Sequence, residues 1–303
     1  MKTQIPKRIF NDLLQASLRT RHSRLVTLGL LIGFIFWPVW LYDVIQGTLQ
    51  GAASLLLTAA FALGIYQLWV QRSALSRLRA SSEDRWLGHL ILIAGIGVVP
   101  FAASTEWSQK LIWLMILVGI ALSTWGLSFF SRCPASIFLI ALGLFPQPTA
   151  VGKTLWEAFT PPAMLERFMA WSGGVGLRLI GQSAEANWTI ITLPGGSVDV
   201  NWGCSGYDLA CIAAVASLLM ALFFKQSFWK SSLILAMGIA VALVANVPRI
   251  MLVAMASAYW GEESFEFWHG FWGGQIFLSL LFSVHYYIVM AIVKRRSPNP
   301  TTK

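Results

Sequence analysis

Apolar runs about long enough to cross a membrane alternate along this chain with short basic loops. A helix needs roughly 20 apolar residues to traverse a hydrocarbon core of ~30 Å at ~1.5 Å per residue. On that measure the pattern predicts about eight spans. The first runs from about Leu25 to Ile45, bent at Pro38, and the second over about Ala52–Val70. Next come about Trp86–Ala103, Leu111–Phe130 and a shorter Ala135–Ala150 interrupted by Pro146 and Pro148. The last three are about Ser205–Phe224, a run from Ser231 that reaches Arg249, and Gly273–Val293.

One stretch breaks this rhythm. Residues 151–203 hold an amphipathic patch, Met164–Ile180, and then a β-branched segment, NWTIITLPGGSVDVNWG. Pro194-Gly195-Gly196 separates Thr189–Leu193 from Ser197–Val200, which predicts a small hairpin on the membrane surface. The chain then divides into a basic arm (1–24), a first membrane bundle (25–150), the surface segment (151–203), a second bundle (204–293) and a basic tail (294–303).

Composition adds the environment and the orientation. Hydrophobic residues make up 56% of the 303 and charged residues only 12%, too few to cover a water-facing surface. The formal charge of +9 sits in short clusters beside apolar runs, which marks membrane orientation and excludes a nucleic-acid face. With the N-terminus inside, only Lys110, Lys153, Arg167, Arg178 and Arg249 of the basic residues fall outside, and only Asp12, Glu83 and Asp84 of the acidic ones fall inside. The expected fold is an all-α polytopic membrane protein with both termini cytoplasmic and an extracytoplasmic hairpin before the helix that follows Cys204. Three irregularly spaced cysteines and four scattered histidines give no disulfide framework and no metal site. Phosphate loops and nicotinamide-binding glycine patterns are missing too, so no cofactor is expected.

Chemistry concentrates in VNWGCSGYDLA, ANVPRI and FWHGFWGG. Cys204 is expected to start an inward-going helix, Arg249 to end an outward-going one, and His269 to precede the last span, so all three reach the outer face. A helix N-terminus and a nearby cation lower a thiol's pKa and favour the nucleophilic thiolate. Gly203, Ser205 and Gly206 leave room for an approaching carbonyl, and backbone N–H groups there could bind an oxyanion. An arginine within apolar sequence is a functional candidate by default, and a histidine suits proton transfer near neutrality. Asn246, one turn before Arg249, could hold the guanidinium or a substrate carbonyl, and Asp208 is expected to pair with Arg249 or orient His269. Plainer roles exist for the same residues: an inert buried cysteine, a snorkelling arginine, a histidine in an aromatic belt. Cys211 and His285 read as packing, and Cys133, on the cytoplasmic side, as incidental.

These three segments, in this order and spacing, resemble the exosortase/archaeosortase family of polytopic membrane enzymes. The resemblance covers about residues 195–275 and implies a cysteine peptidase or transpeptidase with Cys204 as nucleophile and Arg249 and His269 as its partners. It also implies a protein substrate with a C-terminal sorting tail: a short motif (Pro-Glu-Pro in bacteria), a membrane helix and a basic cluster. The cleaved protein would pass to water, an amine, or a glycan or lipid acceptor at the outer face of the cell membrane. A transporter, or a non-catalytic scaffold for envelope export, is the rival reading. A transport path needs polar groups through the membrane's depth, whereas here they cluster at one face.

Overall fold

The computed structural model describes residues 19–50, 53–102 and 104–294; residues 1–18 of the basic arm and 295–303 of the basic tail lie outside the described residues. The chain forms two compact units, one from residues 1–49 and 57–148, the other from residues 50–56 and 149–303.

The first unit is helical. Its long elements are α1 (Arg21–Gln50), α2 (Ala53–Val70), α3 (Ser82–Ala102), α4 (Glu106–Trp125) and α5 (Pro134–Leu144). Leu92 of α3 and Ile116 and Ile120 of α4 pack with Ile32 of α1 into one apolar cluster. Glycine allows this close approach: a methyl on Gly119 would sit 2.8 Å from the backbone nitrogen of Leu92. Membrane helices associate through such small-residue contacts because lipid tails are as apolar as leucine. α4 begins a turn before the expected Leu111, because Thr105 caps it by accepting from the Ser108 amide, and it ends at Gly126 (φ +73°). The expected span Ala135–Ala150 is not continuous. α5 stops at Leu144, Gln147 takes a positive φ, and α6 (Pro148–Phe159) restarts with proline in its first turn, where the missing N–H costs no bond.

The second unit continues with α7 (Met164–Leu179), strands β1 (Glu185–Asn187), β2 (Ile190–Leu193) and β3 (Gly196–Asp199), and α8 (Tyr207–Phe223). It ends with α9 (Phe228–Met255), α10 (Glu262–His269) and α11 (Phe271–Lys294). The strands form an antiparallel meander in which Ile190 faces Asp199 and Leu193 faces Gly196, so Pro194-Gly195 is a two-residue hairpin loop. The hairpin docks on a single π-helical turn, Ala256–Trp260, that prolongs α9. A methyl on Gly195 would strike the Ala258 carbonyl, and Ser257 Oγ donates to the Ser197 carbonyl at 3.4 Å. Behind it, Met169, Leu177, Ile191, Val200, Cys204 and Ile250 share one core.

Arg249 is therefore not the end of an outward-going helix. α9 runs on to Met255 through Pro248, since the apolar run MLVAM supplies further turns and proline's fixed φ is itself helical. Cys204 likewise does not start a helix. It closes a 3₁₀ turn, Trp202–Cys204, and α8 begins at Tyr207.

Among the described residues five helices are long and apolar enough to span a membrane: Arg21–Gln46, Ser82–Phe101, Glu106–Trp125, Phe228–Trp260 and Phe271–Lys294. A sixth is reached if Pro134–Leu144 and Pro148–Phe159 form one broken span. Ser54–Val70 and Tyr207–Phe223 are apolar but shorter; 17 residues of α8 extend ~26 Å, just under a hydrocarbon core. The protein is a multi-pass, mostly helical membrane protein, and among the described residues five or six helices are long and apolar enough to span, set beside the eight spans expected.

Candidate active site

The turn carrying Cys204 is built by its own backbone. Val200 leaves β3 with its amide on the Thr189 carbonyl (2.8 Å), and the Cys204 amide donates to the Asn201 carbonyl at 3.0 Å. Ser205 closes the turn twice, its amide and its hydroxyl both donating to the Trp202 carbonyl. The Cys204 and Ser205 amides are thus occupied within the turn itself. Gly206 then takes φ +81°, a conformation that favours glycine, and a methyl there would lie 2.8 Å from Asn246 Nδ2.

Asn246 is the partner that locks the turn. It is fully buried on α9, and its Nδ2 donates to the Cys204 carbonyl at 2.8 Å, while its Oδ1 is buried without a partner. Asn246 therefore holds the turn's backbone, not the guanidinium. One turn further along α9, Arg249 lines a small cleft together with Cys204, Val198 and Asp199. The cleft encloses about 10 Å³, barely the room one water needs. Arg249 Nη2 donates to the His269 carbonyl at 3.4 Å, and its Nε is buried with no acceptor.

His269 is joined to Arg249 by its backbone. Its imidazole stacks on Phe265, with centroids 5.2 Å apart and planes 7° from parallel, and is not part of the cleft lining. Asp208 makes no ion pair with Arg249, although it lies within reach of the charges of Arg249 and Lys153. Burial pushes the Cys204 thiol up, and the Asp199 carboxylate adds to this; Arg249 opposes both without reversing them. Burial also pushes the His269 imidazole down, helped by the Arg249 charge. Burial thus favours the uncharged form of both groups at rest. The helix start that would have lowered the thiol begins three residues too late.

Two features were not singled out from sequence. Asp199 reaches the cleft from β3 with its Oδ1 fixed by the Thr189 hydroxyl at 2.6 Å. Trp202 packs on Tyr207 (4.6 Å) and under the Lys153 ammonium (4.7 Å), while the Tyr207 hydroxyl donates to the Thr149 carbonyl at 3.2 Å. These contacts tie α6 to the cysteine turn.

The model of the transmembrane exosortase family matches residues 48–286, a range containing every residue of this site. The chain belongs to the transmembrane exosortase family. No curated protein and no solved structure matches it. Exosortases are in general cysteine peptidases or transpeptidases, and membership carries a membrane-embedded, sorting-related function and a protein substrate. Cys204 and Arg249 therefore share a cleft in a family whose chemistry uses a cysteine.

Proposed function

We propose that this exosortase cleaves a C-terminal sorting tail at the outer face of the cell membrane through a Cys204 thioester. The observation that carries the reading is the common cleft of Cys204 and Arg249, with the guanidinium Nε–H buried and without an acceptor. An unpaired charged donor beside a nucleophile is what a developing oxyanion requires.

In this mechanism the substrate's tail helix lies among the spans and its motif parts β3 from α9, because 10 Å³ admits no peptide. The neutral His269 imidazole turns off Phe265 and takes the thiol proton as sulfur bonds to the scissile carbonyl carbon. Arg249 donates to the resulting oxyanion. The C–N bond breaks as His269 returns the proton to the leaving amine, leaving an acyl group on Cys204. Water or an amine acceptor attacks the thioester, loses a proton to His269, and expels the thiolate, which recovers that proton. Asn246, Ser205 and Gly206 hold the turn that aims the sulfur, and Asp208 supplies background charge.

The test is co-expression with a reporter bearing motif, helix and basic cluster. Shortening should occur with the wild type and vanish in Cys204→Ala that still inserts normally. Equal shortening in both would remove the cysteine mechanism.

A further inference from the structure

We propose that Asp199 receives the incoming acceptor as an ammonium, so that the acyl group on Cys204 passes to a primary amine in preference to water. The assignment rests on the thioester reading above and adds to it the acceptor's chemical class. Its basis is a charge pattern in the cleft. Asp199 on β3 and Arg249 on α9 line the same space of about 10 Å³ as Cys204, yet the two opposite charges form no ion pair. The Asp199 carboxylate is held at one oxygen only. Oδ1 accepts from the Thr189 hydroxyl at 2.6 Å, and Oδ2 has no hydrogen bond or ion pair among the described residues. Asp199 is exposed and Cys204 only 6% exposed, so the carboxylate stands on the open side of the cleft and the sulfur on the buried side.

A carboxylate here hinders the first half of the reaction, because it raises the Cys204 thiol and disfavours the thiolate. It suits the second half. Attack of an amine on a thioester produces an intermediate with a negative oxygen and a positive nitrogen on the same carbon. Arg249 matches the oxygen and Asp199 the nitrogen. Base-assisted attack of water makes only the negative oxygen and gives Asp199 nothing to hold. A metal ion is a poorer match, since it asks for several ligands and no group of three His, Cys, Asp or Glu side chains exists among the described residues.

The acceptor docks as an ammonium with one N–H on Asp199 Oδ2. It gives a proton to the His269 imidazole, and the freed lone pair bonds to the thioester carbon as the C=O pair moves onto oxygen beside Arg249. That pair returns, the C–S bond breaks, and the positive nitrogen passes a proton to the departing Cys204 sulfur. The products are a secondary amide and a neutral thiol, and His269 releases its proton to water.

The experiment uses the full-length protein in reconstituted membranes with the tail-bearing reporter. Near neutral pH it is supplied with glycinamide, mostly an ammonium there, or with hydroxylamine, mostly uncharged. Mass spectrometry reads the new C-terminus of the shortened product as adduct or carboxylate. The wild type should form adducts with both. In Asp199→Asn the ratio of glycinamide adduct to carboxylate should fall at least about tenfold, as for loss of a hydrogen bond between charged groups, while the hydroxamate ratio stays within about twofold. Both ratios are set after the acyl group has formed, so altered thiol reactivity does not move them. Asparagine can still accept from Thr189, which keeps the turn. Should that variant fail to fold, the wild type serves: raising salt to about 1 M should cut the glycinamide adduct severalfold and spare the hydroxamate, since an exposed charge pair is screened. An unchanged glycinamide ratio, a salt-insensitive one, or equal loss of both adducts overturns the assignment. A wild type that yields hydroxamate but no glycinamide adduct overturns the ammonium acceptor alone, and one that yields neither overturns the thioester reading with it.

Discussion

Asn246 on α9 donates a 2.8 Å hydrogen bond to the carbonyl of Cys204, 42 residues earlier in the chain. Through that one bond the helix bearing Arg249 fixes the backbone of the candidate nucleophile. Replacing Asn246 with alanine leaves a buried carbonyl unpaired, at about 1–3 kcal/mol. Cys204 is 6% exposed, and loosening its turn should raise its labelling by a small maleimide. Measured with Cys133 and Cys211 replaced by serine, Asn246→Ala should label several-fold faster while reporter processing falls at least tenfold.

Two neighbouring glycines should respond in opposite ways. At Gly206 a methyl meets Asn246 at 2.8 Å in a left-handed backbone, so Gly206→Ala should abolish most processing. At Gly203 the nearest atom is Asn201 Oδ1 at 3.4 Å, ordinary contact, so Gly203→Ala should process nearly as the wild type does. Reporter shortening at matched expression compares the pair, and equal damage would contradict the turn described.

The thiol's charge environment gives signed predictions. Asp199 raises the Cys204 thiol and Arg249 lowers it. Asp199→Asn should therefore move the pH profile of Cys204 alkylation to lower pH, and Arg249→Gln should move it higher. Rates of iodoacetamide modification across pH 6–10 (roughly the span of an ordinary thiol titration) provide the check.

Arg249→Lys keeps the charge and loses the planar fork with its buried Nε–H. Processing should fall by about 10²–10³, as for removal of one oxyanion donor, with the protein level unchanged. Single-turnover cleavage of the reporter in reconstituted membranes measures it.

Deep in the second unit, Ser217 Oγ and His285 Nε2 lie 2.8 Å apart, both fully buried, with Gly238 against them. A methyl on Gly238 would collide with the Ser217 hydroxyl, whereas one on Gly274 would meet nothing within 4 Å. Gly238→Ala should lower the Tm in detergent by several degrees and Gly274→Ala should not.

What the sequence could convey was local or periodic. Apolar run lengths located the membrane helices, and Pro194-Gly195 between β-branched residues located the hairpin. Helix ends were harder. Arg249 looked like the end of its helix, yet a proline in apolar sequence can sit inside a helix, and α9 continues through Pro248 for six residues beyond Arg249. The charges that tune the thiol were harder still. Asp199 lies on the exposed side of a short strand, and only the docking of β3 beside α9 brings it to Cys204. The stacking of His269 on Phe265 and the hold of Asn246 on Cys204 depend on packing that no spacing reveals.

The most direct measurement asks whether an acyl group passes through Cys204. Reporter cleavage is run in reconstituted membranes with excess hydroxylamine, and the new C-terminus of the shortened product is read by mass spectrometry. A thioester gives a C-terminal hydroxamate with the wild type and no product with Cys204→Ala. A product bearing only a carboxylate at saturating hydroxylamine, or the same product from Cys204→Ala, would contradict the account.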